Sequence, residues 1–224
     1  MLQRRISAGQ ISVLPLVLAS LLLPASAGAQ VERTHRDEWQ KVEEIFAAMD
    51  LDEGDRVADV GAGGGFFTFR LSPIVGPQGK VFAQDIDGGV LREVREAAQR
   101  EAMDNIETVL GVRDDPRLPP TSLDAVLIVN AYHEMDEYEG MLAGIRRALK
   151  PGGRLVIVDD PPRDPTQPRR QQMQQHDIDI GLVEQDLETA GFEVIRREPD
   201  FVNDDHGRHH HRSWMLVAVP RQSR

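Results

Sequence analysis

Val57-Ala-Asp-Val-Gly-Ala-Gly-Gly-Gly-Phe-Phe67 decides how the rest of this chain is read, because a short apolar strand runs straight into glycines at alternate positions, Gly61, Gly63 and Gly65. Glycine lacks Cβ, so it takes positive φ and leaves room for a bulky ligand against the main chain. The helix expected over residues 66–71 offers free N–H groups at its start. A dinucleotide fingerprint, G-x-G-x-x-G, would need glycine at the sixth position from Gly61, and that position is Phe66. The pattern is instead D-x-G-x-G-x-G from Asp59, which argues against a nicotinamide or flavin dinucleotide.

Outward from this turn, strands and helices alternate. Trp39, Val42, Phe46 and Met49 recur at helical spacing and predict one amphipathic helix before the turn at residues 52–55 and a first strand Arg56–Val60. Then follow a strand at 80–84, a helix at 90–102, strands at 106–110 and 124–129, a helix at 137–149, a turn at 150–153 and a strand at 154–158. Strands alternating with helices imply a parallel sheet with right-handed crossovers and helices on both faces. Residues 161–175, rich in Pro, Arg and Gln and without periodicity, read as an exposed loop or lid. A helix at 183–190 stops at Gly191, and runs at 192–196 and 213–219 are spaced as a terminal antiparallel pair.

The 224-residue chain opens on Arg4 and Arg5, an apolar run and then Ala25-Ser-Ala-Gly-Ala29, the three parts of a secretory signal. Residues 1–29 are therefore assigned to a signal peptide and 30–224 to the mature domain. The apolar run, residues 11–23, is shorter than the roughly 20 residues a spanning helix needs. No stable membrane span is expected, and the protein is placed in the periplasm or secreted. Retention of an uncleaved segment as an inner-membrane anchor is the alternative. The remaining length suits one sizeable core. The absence of cysteine excludes disulfides and thiolate chemistry. The formal charge of −11 becomes −13 when Arg4 and Arg5 leave with the signal, a field that repels a phosphate backbone, so nucleic acid is not an expected partner.

Four separated stretches, VADVGAGGG, VFAQDID, LDAVLIVNAYHEM and LKPGGRLVIVDD, together resemble the class I S-adenosylmethionine-dependent methyltransferases, and the likeness runs from about Trp39 to Val219. The resemblance implies a Rossmann-like α/β fold, with a seven-stranded sheet in the order 3-2-1-4-5-7-6, strand 7 antiparallel and helices on both faces. It implies S-adenosyl-L-methionine across the carboxyl ends of the strands. It also assigns Asp85 to the ribose hydroxyls, passes Gly61, Gly63 and Gly65 close to the cofactor, has Asp59 organise their loop, and brings Asn130 to the methionine end.

On the residues alone, Asp85 ends a strand 20 residues after Gly65, where a carboxylate accepts two hydrogen bonds from a vicinal diol. Capping of the next helix is the other reading, stronger for Asp87. The adenine contact departs from the family pattern, for Gly111 is followed by Val112 and Arg113, and Leu118-Pro119 comes two residues late. A two-residue gap makes Asp114 the partner of the adenine amino group, with Asp115 or a backbone contact as alternatives. Phe66 or Ile86 packs on the cofactor or else in the core.

Methyl transfer from a sulfonium is an in-line displacement, in which a protein mainly aligns the acceptor and excludes water. If the acceptor is a hydroxyl or ammonium, a proton must leave. Tyr132 and His133, just beyond the fourth strand, are the candidate catalytic residues, and a histidine titrating near neutrality suits a base. The plainer reading of His133 is a ring satisfying a loop carbonyl. The family's Asn-Pro-Pro-Tyr pattern for amino groups on bases or glutamine is absent, since Ala131 follows Asn130, and a small-molecule acceptor is expected. Asp159 and Asp160 either face the substrate or cap their loop, and His176 is a lid candidate. His206, His209, His210 and His211 invite a metal reading, yet consecutive histidines in a turn converge poorly on a tetrahedral ion, so no metal is expected. The rival to an enzyme is a non-catalytic cofactor-binding or interaction module of the cell envelope.

Overall fold

A computed structural model describes residues 35–204 and 211–221; the expected signal peptide and the histidines at 206, 209 and 210 lie outside the described residues. Strands β1 (Arg56–Val60), β2 (Lys80–Asp85), β3 (Ile106–Leu110), β4 (Leu123–Val129), β5 (Leu149–Asp159), β6 (Phe192–Asp204) and β7 (His211–Pro220) join one sheet in the order β3-β2-β1-β4-β5-β7-β6. β1 to β5 pair in parallel, and β7 runs antiparallel to both its neighbours, as the resemblance implied.

Central strands buried on both faces read as near-continuous apolar runs. Alternate side chains feed two cores. On one face Ala58, Val60, Val126, Ile128, Leu155 and Ile157 pack with Met141, Leu142 and Ile145 of α5 (Tyr138–Ala148) and with Val183 and Leu187 of α7 (Ile180–Thr189). On the other, Val57, Val81, Ala125, Leu127, Val156 and Val158 meet Ile45 and Met49 of α2 (Val42–Met49) and Phe67, Leu71 and Val75 of α3 (Phe66–Val75). The remaining crossover is α4 (Gly88–Arg100) between β2 and β3.

Tertiary contacts redraw several expected boundaries. The single helix expected around Trp39 to Met49 is two, α1 (His35–Trp39) and α2, because Lys41 takes φ 50° between them. Trp39 stacks on the His211 ring at 3.8 Å, joining α1 to the start of β7, so it neither covers the cleft nor sits in the core. Residues 150–153 are not a free turn but a bulge in β5, since the β4–β5 register steps from Leu123↔Leu149 to Ala125↔Arg154. Lys150 Nζ fixes that bulge by donating to both Asp124 carboxylate oxygens at 2.7 and 2.8 Å. The expected exposed loop at 161–175 contains α6 (Arg169–Gln174) and is anchored by the fully buried Gln172. Gln172 Nε2 donates to Gln167 O at 2.8 Å, and its Oε1 accepts from Asp179 N at 2.8 Å.

Candidate active site

The sheet order reverses between β1 and β4, and open α/β sheets bind ligands outside the carboxyl ends of their strands at such a point. A cleft of about 350 Å³ lies there, lined by Gly61 and Gly63 after β1, Asp85 and Ile86 after β2, and Asn130 and Ala131 after β4. A larger cavity of about 530 Å³ lies near the opposite end of the sheet, beside Lys150, Pro151 and Arg221. It holds none of the residues at the carboxyl ends of the parallel strands β1 to β5, and the smaller cleft is the candidate site.

The three glycines of the first turn share positive φ values of 73°, 49° and 80°, yet each is required for a different reason. A Cβ on Gly61 would stand 2.5 Å from Ala131 Cβ, and one on Gly65 2.8 Å from the Phe69 ring. A Cβ on Gly63 would meet nothing within 4 Å, so its face opens into the cleft. The turn is tied to β2 by Gly61 N and Ala62 N, both donating to Gln84 O, at 2.9 and 3.0 Å.

Asp85 locks two loops at once. Its Oδ2 accepts from Gly63 N at 2.9 Å and its Oδ1 from Asp87 N at 2.9 Å. An ionised carboxylate has about four acceptor sites, so each oxygen retains capacity toward a ligand. Asp87 has the capping role, accepting from Gly89 N at 2.6 Å. Asp59 is buried beneath the turn, where Thr68 Oγ1 donates to its Oδ2 at 2.6 Å. Burial pushes its carboxyl up to about 6, with the Thr68 hydrogen bonds pulling the other way. Asn130 takes φ 51° as β4 ends, its N–H bonded to Val158 O, and its side chain lines the cleft.

Other expected contacts fall elsewhere. Asp114 is exposed and does not line the cleft, because Val112 N and Asp115 O close a tight turn there and Arg113 is the member that reaches the lining. Phe66 lies between the Arg36 and Arg70 guanidiniums, 3.8 Å from each, and not against the cleft. Ile86 does line it and is 54% exposed, a large apolar side chain with no protein cover.

Beyond β4 the chain makes a single 3-10 turn, Tyr132–Glu134, that sends its first two side chains in different directions. Tyr132 corrects the sequence reading. It is 1% exposed and its hydroxyl donates to Asp186 Oδ2 at 2.9 Å, on the side of α7, where burial raises its phenol above the ordinary range. It packs the core and does not reach the cleft.

His133 pairs with the end of β5. Its Nδ1 lies 2.8 Å from Asp159 Oδ1, its backbone N–H donates to Asp159 Oδ2 at 3.1 Å, and Asp160 N donates to the same Oδ1 at 2.8 Å. A fully buried carboxylate accepting in this way places the imidazole proton on Nδ1 and leaves the Nε2 lone pair free. Burial disfavours the imidazolium, but the Asp159 hydrogen bond and the charges of Asp159, Glu134 and Asp160 outweigh it and raise the pKa. Asp160 is pushed up to about 6 by burial and by Asp159. Glu134, which lines the cleft, approaches His133 Nε2 at 3.8 Å and His176 Nδ1 at 3.9 Å. Sequence reasoning named His133, Asp159, Asp160 and His176 without pairing them, and gave Glu134 no role. Arg113, Met135, Asp136 and Met141 of the lining it missed, and no local pattern marks them.

With this geometry in hand, the chain matches the methyltransferase-domain family over residues 57–153 and has the fold of the class I S-adenosylmethionine-dependent methyltransferases. Over 122 residues it is 30% identical to the ubiquinone/menaquinone biosynthesis C-methyltransferase UbiE of Francisella tularensis subsp. novicida, covering 54% of this chain and 48% of that one. The chain thus spans about half the length of the curated relatives it matches. A SAM-dependent methyltransferase from Aquifex aeolicus superposes with a TM-score of 0.66 at 24% identity, covering 84% of this chain and 99% of that one. The 4+2 cyclase SpnF superposes with a TM-score of 0.70 at 18% identity, covering 83% and 82%. At these identities the structures speak to the fold alone. Among the described residues no helix is long and apolar enough to cross a membrane.

Proposed function

We propose that this chain is an S-adenosylmethionine-dependent methyltransferase acting on a small-molecule acceptor. The observation that carries the reading is the cleft at the ends of β1, β2 and β4, where Gly63 faces open space and the Asp85 carboxylate is held by Gly63 N and Asp87 N. These residues fit the cofactor. Asp85 has acceptor capacity for a ribose diol, the uncovered Ile86 offers an apolar face, and Gly61 and Asn130 stand where the methionine end would lie. When bound, S-adenosylmethionine supplies an activated methyl carbon.

What the protein adds is position and proton handling. Gly61 and Gly63 hold backbone against the cleft, and Asp59 stiffens the turn from below through Thr68. His133 is 6% exposed and does not itself line the cleft; with its Nδ1–H held by Asp159, its Nε2, 3.8 Å from the Glu134 carboxylate that does line it, is the proposed base for an acceptor that must lose a proton. Asp159 keeps the ring in the useful tautomer and is a positioning residue.

The test is calorimetric binding of S-adenosylmethionine to the purified chain, followed by methyl-labelled cofactor with fractionated metabolite extracts. A labelled small product and its loss in His133→Gln support the reading. Binding without transfer to any fraction favours the non-catalytic module or, since the 4+2 cyclase SpnF shares the fold, another reaction on the same scaffold. Absence of binding overturns it. We further propose export under residues 1–29, supported by their charged, apolar and small-residue order. An intact Met1 on a cytoplasmic protein, found by fractionation and N-terminal sequencing, would overturn that.

A further inference from the structure

We propose that His133, Glu134 and His176 form a site for one divalent transition-metal ion of the zinc type at the rim of the cleft. One imidazole nitrogen from each histidine and one Glu134 oxygen all lie within 4.8 Å of one another. Tetrahedral coordination with bonds of about 2.1 Å sets donors about 3.4 Å apart. The Glu134 oxygen stands 3.8 Å from His133 Nε2 and 3.9 Å from His176 Nδ1. That gap is closed by rotation of Glu134 and His176, which are 66% and 75% exposed.

Independent features argue for a built site. A metal-ligating histidine ordinarily gives its other ring N–H to a carboxylate, which fixes tautomer and orientation. Asp159, fully buried, does this for His133 at 2.8 Å. His176 is held at φ 60°, its N–H bonded to Met173 O, while Gln175 N and Asp177 N both donate to the carbonyl of the buried Gln172. The left-handed turn after α6 thus fixes where this histidine leaves the chain. Asp177, the next residue, is 8% exposed, and its buried Oδ1 has no hydrogen-bond partner among the described residues. Two histidines and one carboxylate form a donor set that leaves the fourth zinc position open. Because Glu134 also lines the cleft, that ion would stand at its edge.

His133 and His176 are more than forty residues apart in sequence, so the spacing gives no metal signal. The sequence expectation of no metal weighed only the histidines near the carboxyl end. The proposed base and the proposed ligand are the same Nε2, so proton and ion compete for one lone pair. Zinc in excess is expected to suppress any methyl transfer that needs the base.

The experiment uses the full chain with His206, His209 and His210 changed to Ala, which breaks up the run of histidines between β6 and β7, stripped with a chelator and titrated with Zn²⁺ by calorimetry at neutral pH. One equivalent is expected to bind with a dissociation constant on the order of 1 µM or below. His176→Asn, a residue that tolerates positive φ, and Glu134→Gln are each expected to weaken it at least tenfold with unchanged circular dichroism. No ion bound by this triple variant, or affinity unchanged by both further substitutions, overturns the proposal. S-adenosylmethionine binding is measured on the same samples, so loss of the methyltransferase reading leaves this result standing and the converse also holds.

Discussion

Replacing Asp59 by Asn is expected to remove a pH dependence of stability that this one carboxyl creates. Asp59 is 2% exposed, and burial moves it from the ordinary 3.8 to about 6, while the Thr68 hydrogen bonds oppose, the Asp85 charge adds to and the Arg36 charge reduces the change. The unfolded chain titrates near the ordinary value, so between about pH 4 and pH 6 the folded protein keeps a proton that the unfolded chain has lost. Stability from this proton is fully present below the unfolded pKa and is lost as pH rises through the folded one. One pH unit corresponds to about 1.4 kcal/mol, so the whole window is worth on the order of 3 kcal/mol, of which about 2 kcal/mol falls between pH 4.5 and 7.5. Asparagine mimics the neutral carboxyl and still offers an oxygen to Thr68 Oγ1. Urea unfolding of both proteins at several pH values is the assay, and the parent is expected to lose about 2 kcal/mol relative to the variant between pH 4.5 and 7.5. Asp160 shifts in the same range but is common to both proteins and cancels. Parallel profiles, or a variant that weakens relative to the parent as pH rises, would refute the assignment of the proton to Asp59.

Gly63→Val, whose Cβ meets nothing within 4 Å but which must hold φ near 49°, is expected to weaken the domain while leaving it folded by far-ultraviolet circular dichroism, and to abolish S-adenosylmethionine binding in equilibrium dialysis. Gly61→Val, whose Cβ would stand 2.5 Å from Ala131 Cβ, is expected to cost stability outright, visible as a lowered melting temperature. Asp85→Ala frees Gly63 N and Asp87 N as well as the diol contact, and calorimetry is expected to show a loss on the order of tenfold to 150-fold in cofactor affinity. Tyr132→Phe should weaken folding by about 1–2 kcal/mol in urea, since it removes the hydrogen bond to Asp186, and leave cofactor binding unchanged; a lost affinity would return Tyr132 to the site.

The part of the cleft built by β1 and β2 was legible in the sequence because it is local. Gly61, Gly63 and Gly65 follow the strand that carries Asp59, Asp85 ends the next, and the residues after a strand's carboxyl end fall at the cleft. Asp114 was misread because its place depends on the Val112–Asp115 turn, whose path no spacing in the neighbouring residues encodes. Tyr132 and His133 illustrate the same limit. They are adjacent in sequence, yet the 3-10 turn sends one to Asp186 of α7 and the other to Asp159 of β5, and neither partner is within reach along the chain.

The alternation of apolar strands and amphipathic helices, with a glycine turn after the first strand, determined the parallel sheet, its crossovers and the end at which a ligand would bind, since these follow from period, chirality and strand polarity. Only the tertiary structure decided which carboxylate holds His133, that the buried Gln172 pins the segment expected to be an exposed loop or lid, and that His176 returns to within 3.9 Å of Glu134. The physical reason is that strand polarity and side-chain period are set residue by residue, whereas the surroundings of His133 are assembled where β4, β5 and the end of α6 meet, and that meeting exists only once the sheet has formed.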